Sequence, residues 1–177
     1  MKKSNITVGT VFLTTLKIWG SAWIGMLISL IPVYIYRGVS QSPEDIKGMV
    51  QNIIIVMVGL LMASAALIFL VGRSDESERW TRKETCKIAV GAVAIYVLIW
   101  MIYWIFSPNN VYVSVTGLYL SMMIGKVEEG SPTFSGAFWG AVIYGIVYTV
   151  AIILGGEIAR RRGKKRRAEI IFPTKQN

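Results

Sequence analysis

The sequence predicts an all-α, polytopic membrane protein: a four-transmembrane-helix bundle with an additional short apolar segment, re-entrant or interfacial, between the third and fourth spans. Three observations carry that prediction. Of the 177 residues, 54% are hydrophobic and 16% charged, a balance too apolar for one soluble core of this size. Four stretches, about 18–36, 48–72, 88–106 and 134–154, are long and apolar enough to cross a hydrocarbon core of about 30 Å as helices. Lys and Arg gather at one end of those stretches, and short basic segments are retained on the cytoplasmic side.

The third stretch sets the orientation. The charged run RSDESERWTRKETCK, with Arg73, Arg79, Arg82, Lys83 and Lys87, leads directly into the uncharged IAVGAVAIYVLIWMIYWIF. A basic foot below an apolar span places residues 73–87 in the cytoplasm. Within the foot, Ser74 is an expected helix cap, and Asp75 with Arg79 and Glu78 with Arg82 are acid-first pairs at i, i+4. Trp100, Tyr103 and Trp104 gather at the opposite end as an interfacial aromatic belt.

The first span follows a short basic start and has no small-residue cleavage pattern, so it is expected to be retained rather than removed as a leader. Thr7, Thr10, Thr14, Lys17 and Ser21 recur at three- and four-residue intervals and would align as one polar stripe on a helix. Two readings of the stripe are open. Lys17 snorkels to the headgroups while the hydroxyls bond their own backbone, or Lys17 faces a bundle interior or aqueous cavity and marks a functional position. No Asp or Glu lies inside a predicted span to pair with it, which favours snorkelling. Pro32 is expected to kink this helix or free the carbonyl of Ile28.

In the second element, Ser42 is placed to cap, Pro43 to open the helix, and Glu44 and Asp45 to complement its dipole. Gly59, Ala63, Ser64, Ala65 and Ala66 offer a small-residue patch for close helix contact. After the third span, residues 111–125 are apolar but only about 22 Å long as a helix. Ser114, Gly117 and Ser121 share one face of it, available for helix packing. With four spans, fifteen Lys and Arg fall inside and three outside; a fifth crossing gives eight inside and ten outside. The charge count prefers four.

The loop carrying Glu128 and Glu129 reads as solvated, because a hard-cation site needs six or more oxygens. In the last span Gly136 and Gly140 form a G-x-x-x-G pair suited to helix packing. The basic tail, residues 157–177, holds Arg160, Arg161, Arg162, Lys164, Lys165, Arg166 and Arg167. It is expected to keep the carboxyl terminus in the cytoplasm and to contact anionic headgroups at the inner leaflet. It is also placed to meet Asp75, Glu76, Glu78 and Glu84 of the foot. Nucleic acid is disfavoured, since no aromatic platform or groove-reading motif accompanies the basic run.

The chain has no histidine and one cysteine, Cys86. The commonest general base and metal ligand are therefore missing, and no intrachain disulfide can form. No phosphate loop, metal spacing or nucleophile with a base is present, so no catalytic, cofactor-binding or metal residue is assigned, and no cofactor is expected. The expectation is a non-catalytic integral membrane subunit or assembly partner in the plasma membrane, with both termini cytoplasmic. Its partners are membrane lipids and other membrane subunits, with a homo-oligomer left open. The alternative is a small channel or transporter component whose polar path is lined by the first helix and the 111–125 segment.

Overall fold

The computed structural model describes residues 7–106, 127–128, 131–132 and 134–171. Four helices dominate it: α1, Val8–Val39; α2, Glu44–Gly72; α3, Arg82–Phe106; and α4, Phe134–Ile171. A single 3-10 turn, Ser77–Arg79, lies between α2 and α3. Val127–Glu128 pairs antiparallel with Ser131–Pro132 ahead of α4. Three helices are long and apolar enough to cross a membrane: Val8–Val39, Ile46–Gly72 and Val142–Arg167. The expected segment 111–125 lies outside the described residues.

α1 is one helix of 32 residues, about 48 Å long, and it runs through Pro32. Its cap is Thr7, whose hydroxyl accepts from the Thr10 amide at 3.2 Å. The start of α2 differs from expectation. Pro43 occupies the N-cap without a side-chain bond, while the amide of Ser42 donates to the Ser40 hydroxyl, so Ser42 belongs to the turn. The start of α3 differs too, because Ser74 sits in the turn that leads out of α2. Thr81 and Glu84 cap α3 instead: the Thr81 amide donates to Glu84 Oε2 at 2.8 Å and the Glu84 amide to Thr81 Oγ1 at 3.2 Å. That reciprocal pair is a capping box, T-x-x-E.

Each helix has two principal neighbours. α1 packs on α2 and α3, and α4 packs on the same two. α1 and α3 begin at one end of the bundle, and α2 and α4 run back to it. The tie of Thr15 Oγ1 to the Ala92 carbonyl at 3.2 Å fixes the parallel α1–α3 pair near that end. Trp19, Tyr96, Tyr148 and Tyr144 join three of the helices through edge-to-face ring contacts of 5.6–5.9 Å.

The core is apolar, with Ile18, Leu67, Val71, Ile88 and Ile152 fully buried, but on α1 much of the inward face is small or hydroxyl-bearing. α1 buries Thr10, Thr14, Thr15, Ser21, Gly25 and Ser29 and exposes Phe12, Leu16, Leu27, Ile28 and Ile31. Large aliphatic groups outward and small or hydroxyl groups inward suit a solvent of lipid tails, where close packing and internal hydrogen bonds hold helices together. The closest approach is at Gly25. A Cβ there would overlap the Gly59 carbonyl oxygen of α2 and lie 2.8 Å from Ala63 Cβ. Ser21, Gly25 and Ser29 thus form a small-residue ridge on α1 that seats Gly59 and Ala63 of α2. Gly155 plays the same part between α4 and α2, since a Cβ there would stand 2.8 Å from Val71 Cβ and 2.9 Å from the Ile68 carbonyl.

Candidate functional site at the charged end of the bundle

The end where α1 and α3 begin and α2 and α4 finish collects most of the charge in the described residues. It is built from three converging pieces: the first turns of α1, the segment 73–81, and the extension of α4 beyond its apolar stretch. Because 73–81 is a turn with one 3-10 turn rather than a helix, its acids do not line up with Arg79 and Arg82 at i, i+4. They face other elements instead.

Toward α1, Thr10 Oγ1 donates to Glu76 Oε1. Of the polar stripe, Thr10, Thr14 and Ser21 are buried, Lys17 is half-buried and Thr7 is exposed at the cap. Thr14 donates to the Thr10 carbonyl at 2.8 Å and Ser21 to the Ile18 carbonyl at 2.8 Å, so these hydroxyls bond the backbone of their own helix. Glu76 thus reaches the first turns of α1 from the turn between α2 and α3.

Toward α4, Asp75 and Glu78 receive two arginines. Arg162 donates from Nε to Glu78 at 2.7 Å and from Nη2 to both Asp75 at 3.2 Å and the Arg73 carbonyl at 2.8 Å. Arg166, one turn on, reaches the same two carboxylates at 3.4 and 3.3 Å. Two acids against two arginines make a neutral clasp. Gly163 brings the helix backbone against Glu78 at its centre. Of the four acids the tail was placed to meet, Asp75 and Glu78 are met; Glu76 serves Thr10 and Glu84 serves the cap of α3.

A second knot forms around Glu157. Arg160 hydrogen-bonds its carboxylate and also donates to Thr85 Oγ1 of α3 at 3.1 Å. Arg82 and Arg161 approach the same carboxylate at 3.6 and 3.7 Å. Glu157 thus gathers three guanidiniums from two helices around one carboxylate.

All seven expected lipid-contact residues, Arg160, Arg161, Arg162, Lys164, Lys165, Arg166 and Arg167, sit on the helical extension of α4. They are not equivalent. Arg162 and Arg166 join the clasp and Arg160 binds Glu157 and Thr85, while Arg161, Lys164, Lys165, Arg166 and Arg167 are all exposed. Gly136 and Gly140 fall in the first turns of α4, where side-chain surroundings are outside the described residues; Ser114, Gly117 and Ser121 lie outside them entirely. Two features escaped the sequence reading although their signals were present. The ridge Ser21, Gly25, Ser29 is a four-residue repeat of small residues, and Glu157 precedes Arg160 and Arg161 by three and four positions. No protein family, curated protein or solved structure matches this chain.

Proposed function

We propose that the chain is a non-catalytic integral membrane subunit or assembly partner, with four spans in the plasma membrane and both termini on the cytoplasmic side. The observation that carries this reading is how the polar groups of the interior are spent. Thr14, Thr15, Ser21 and Ser29 of α1 bond backbone carbonyls and Thr10 bonds Glu76, Asp75 and Glu78 of the α2–α3 turn close on the tail, and the helices meet through small residues and rings. Such an interior serves rigid packing. The exposed apolar faces and the helical basic extension are then what the protein offers to other membrane components.

The clasp also supports the span count. Arg162 and Arg166 meet Asp75 and Glu78, so the foot and the tail share one side of the membrane, which requires an even number of crossings between them. α3 and α4 supply two. An even count agrees with the charge balance, which prefers four crossings. With the foot on the basic side, that side is the cytoplasm.

Lys17 gives the transport alternative its one specific support, since a half-buried lysine is a polar feature at the edge of the apolar zone. Two measurements separate the readings. Mild-detergent purification should bring down a stoichiometric membrane partner if the chain is an assembly subunit. Reconstituted alone, the protein should show no solute or ion flux; flux that Lys17→Leu alters would replace the subunit reading with the transport one.

A further inference from the structure

Charge is balanced at the clasp and unbalanced at Glu157. Three guanidiniums surround that single carboxylate. Arg160 is largely covered, with 15% of its side chain exposed, and is held by its bond to Thr85. Arg82 and Arg161 are different. Their side chains are 83% and 81% exposed, and each stands off Glu157 at the longer distances given above. They come from two helices and converge on one point, leaving an excess of two positive charges there.

The depth of this point is set by its neighbours on α4. Leu154 and Ile158 are half exposed, and with Arg161 they follow at i, i+4 and i+7, one face of the helix. Glu157 stands three residues past Leu154, a rise of about 4.5 Å. An apolar surface thus runs directly up to a pair of exposed guanidiniums. That is the profile of a lipid molecule turned over: acyl chain along Leu154 and Ile158, anion at Arg82 and Arg161.

We propose that Arg82 and Arg161, spaced by Glu157, bind the phosphate of an anionic lipid headgroup. Guanidinium presents a planar fork of donors that matches phosphate oxygens, and two forks from different helices can each take one non-bridging oxygen of a phosphodiester. Glu157 keeps the two forks gathered before the lipid arrives, which lowers the ordering cost of binding. Lys164 and Arg167 lie farther along the extension, about 15 Å or more past Leu154, and serve general attraction rather than the site. This inference goes beyond the assembly reading and does not depend on it.

The test uses the full chain in nanodiscs of phosphatidylcholine with a minor fraction of labelled phosphatidylglycerol, reading bound label after dilution into phosphatidylcholine discs. The variant R82Q/R161Q should lower phosphatidylglycerol retention about thirtyfold. K164Q/R167Q removes the same net charge and should lower it no more than about threefold, because surface charge away from the headgroups is screened. Equal losses in the two variants would mean a diffuse basic surface and overturn the proposal. R82K/R161K keeps charge and fold while removing the fork; retention equal to wild type would likewise overturn it, and a loss supports it. Millimolar inorganic phosphate and a single-stranded RNA oligonucleotide should leave retention unchanged. Displacement by phosphate would reassign the site to a soluble anion, and displacement by RNA to a nucleic acid, either one ending the lipid proposal.

Discussion

Gly25 is where a single atom decides whether α1 and α2 meet. With a Cβ directed into the Gly59 carbonyl and against Ala63, Gly25→Val has to separate two backbones that lie in contact, and overpacking of this kind costs roughly 1–3 kcal/mol or more. The expected outcome is a lowered thermal transition in detergent. Ala63→Gly in the same chain relieves the Cβ contact and should recover part of the loss. No recovery would show that the strain is borne by the backbone atoms, the Gly59 carbonyl and the residue 63 nitrogen. Because Glu76 accepts from Thr10 across the turn, Glu76→Ala, which removes the acceptor, should perturb the first turns of α1. Faster amide hydrogen exchange at residues 8–17, measured in the intact protein, checks this; exchange indistinguishable from wild type would remove Glu76 from the account of α1.

At the scale of elements, α4 continues as one helix of 38 residues, although its last turns carry seven basic residues within eight positions. Like charges so close repel along a helix face, and the clasp offsets that repulsion by placing Asp75 and Glu78 opposite Arg162 and Arg166. Glu78 is mostly covered, with 14% of its side chain exposed, and Arg162 is 27% exposed. Arg162→Glu should therefore cost more than the roughly 0–1 kcal/mol of an exposed pair and less than the roughly 3–5 kcal/mol of breaking a buried one. The extension should become open to protease near residue 162. Combining Arg162→Glu with Glu78→Arg should restore protection; a double variant as labile as the single would mean the contact does not hold the extension. The same element shows what the sequence made legible. Apolar length and the placement of Lys and Arg are local, so the helical, membrane-spanning character could be read directly. That the tail folds onto the foot could be suggested from charge, but which acids it takes depended on 73–81 being a turn. The i, i+4 pairing rule does not hold there because the segment is not a helix, and the T-x-x-E box at Thr81 and Glu84 marks where the helix does begin. Glu157 was overlooked because its third partner, Arg82, is distant in the chain and comes near only once α3 packs against α4.

For the whole molecule, the decisive property is which groups share a side of the membrane. The clasp and the Glu157 knot tie residues 73–82 to residues 157–166, and the α1 start joins them through Thr10 and Glu76. If lipid surrounds the exposed aliphatic belt, these three pieces lie on one side, and the turn around Ser40 lies on the other. Cys86 is exposed on the first turns of α3 and is the only cysteine in the chain, so the native protein already carries a chemical reporter at the charged end. In intact cells a membrane-impermeant maleimide should leave Cys86 unlabelled and should label it after permeabilisation. With Cys86→Ser as background, a cysteine replacing Lys164 should behave as Cys86 does, and one replacing Ser40 should label without permeabilisation. Labelling of the residue 164 position from outside, with Cys86 still protected, would put the tail and the foot on opposite faces. That result demands an odd number of crossings between them, makes 111–125 a full span, and is incompatible with every ion pair of the clasp.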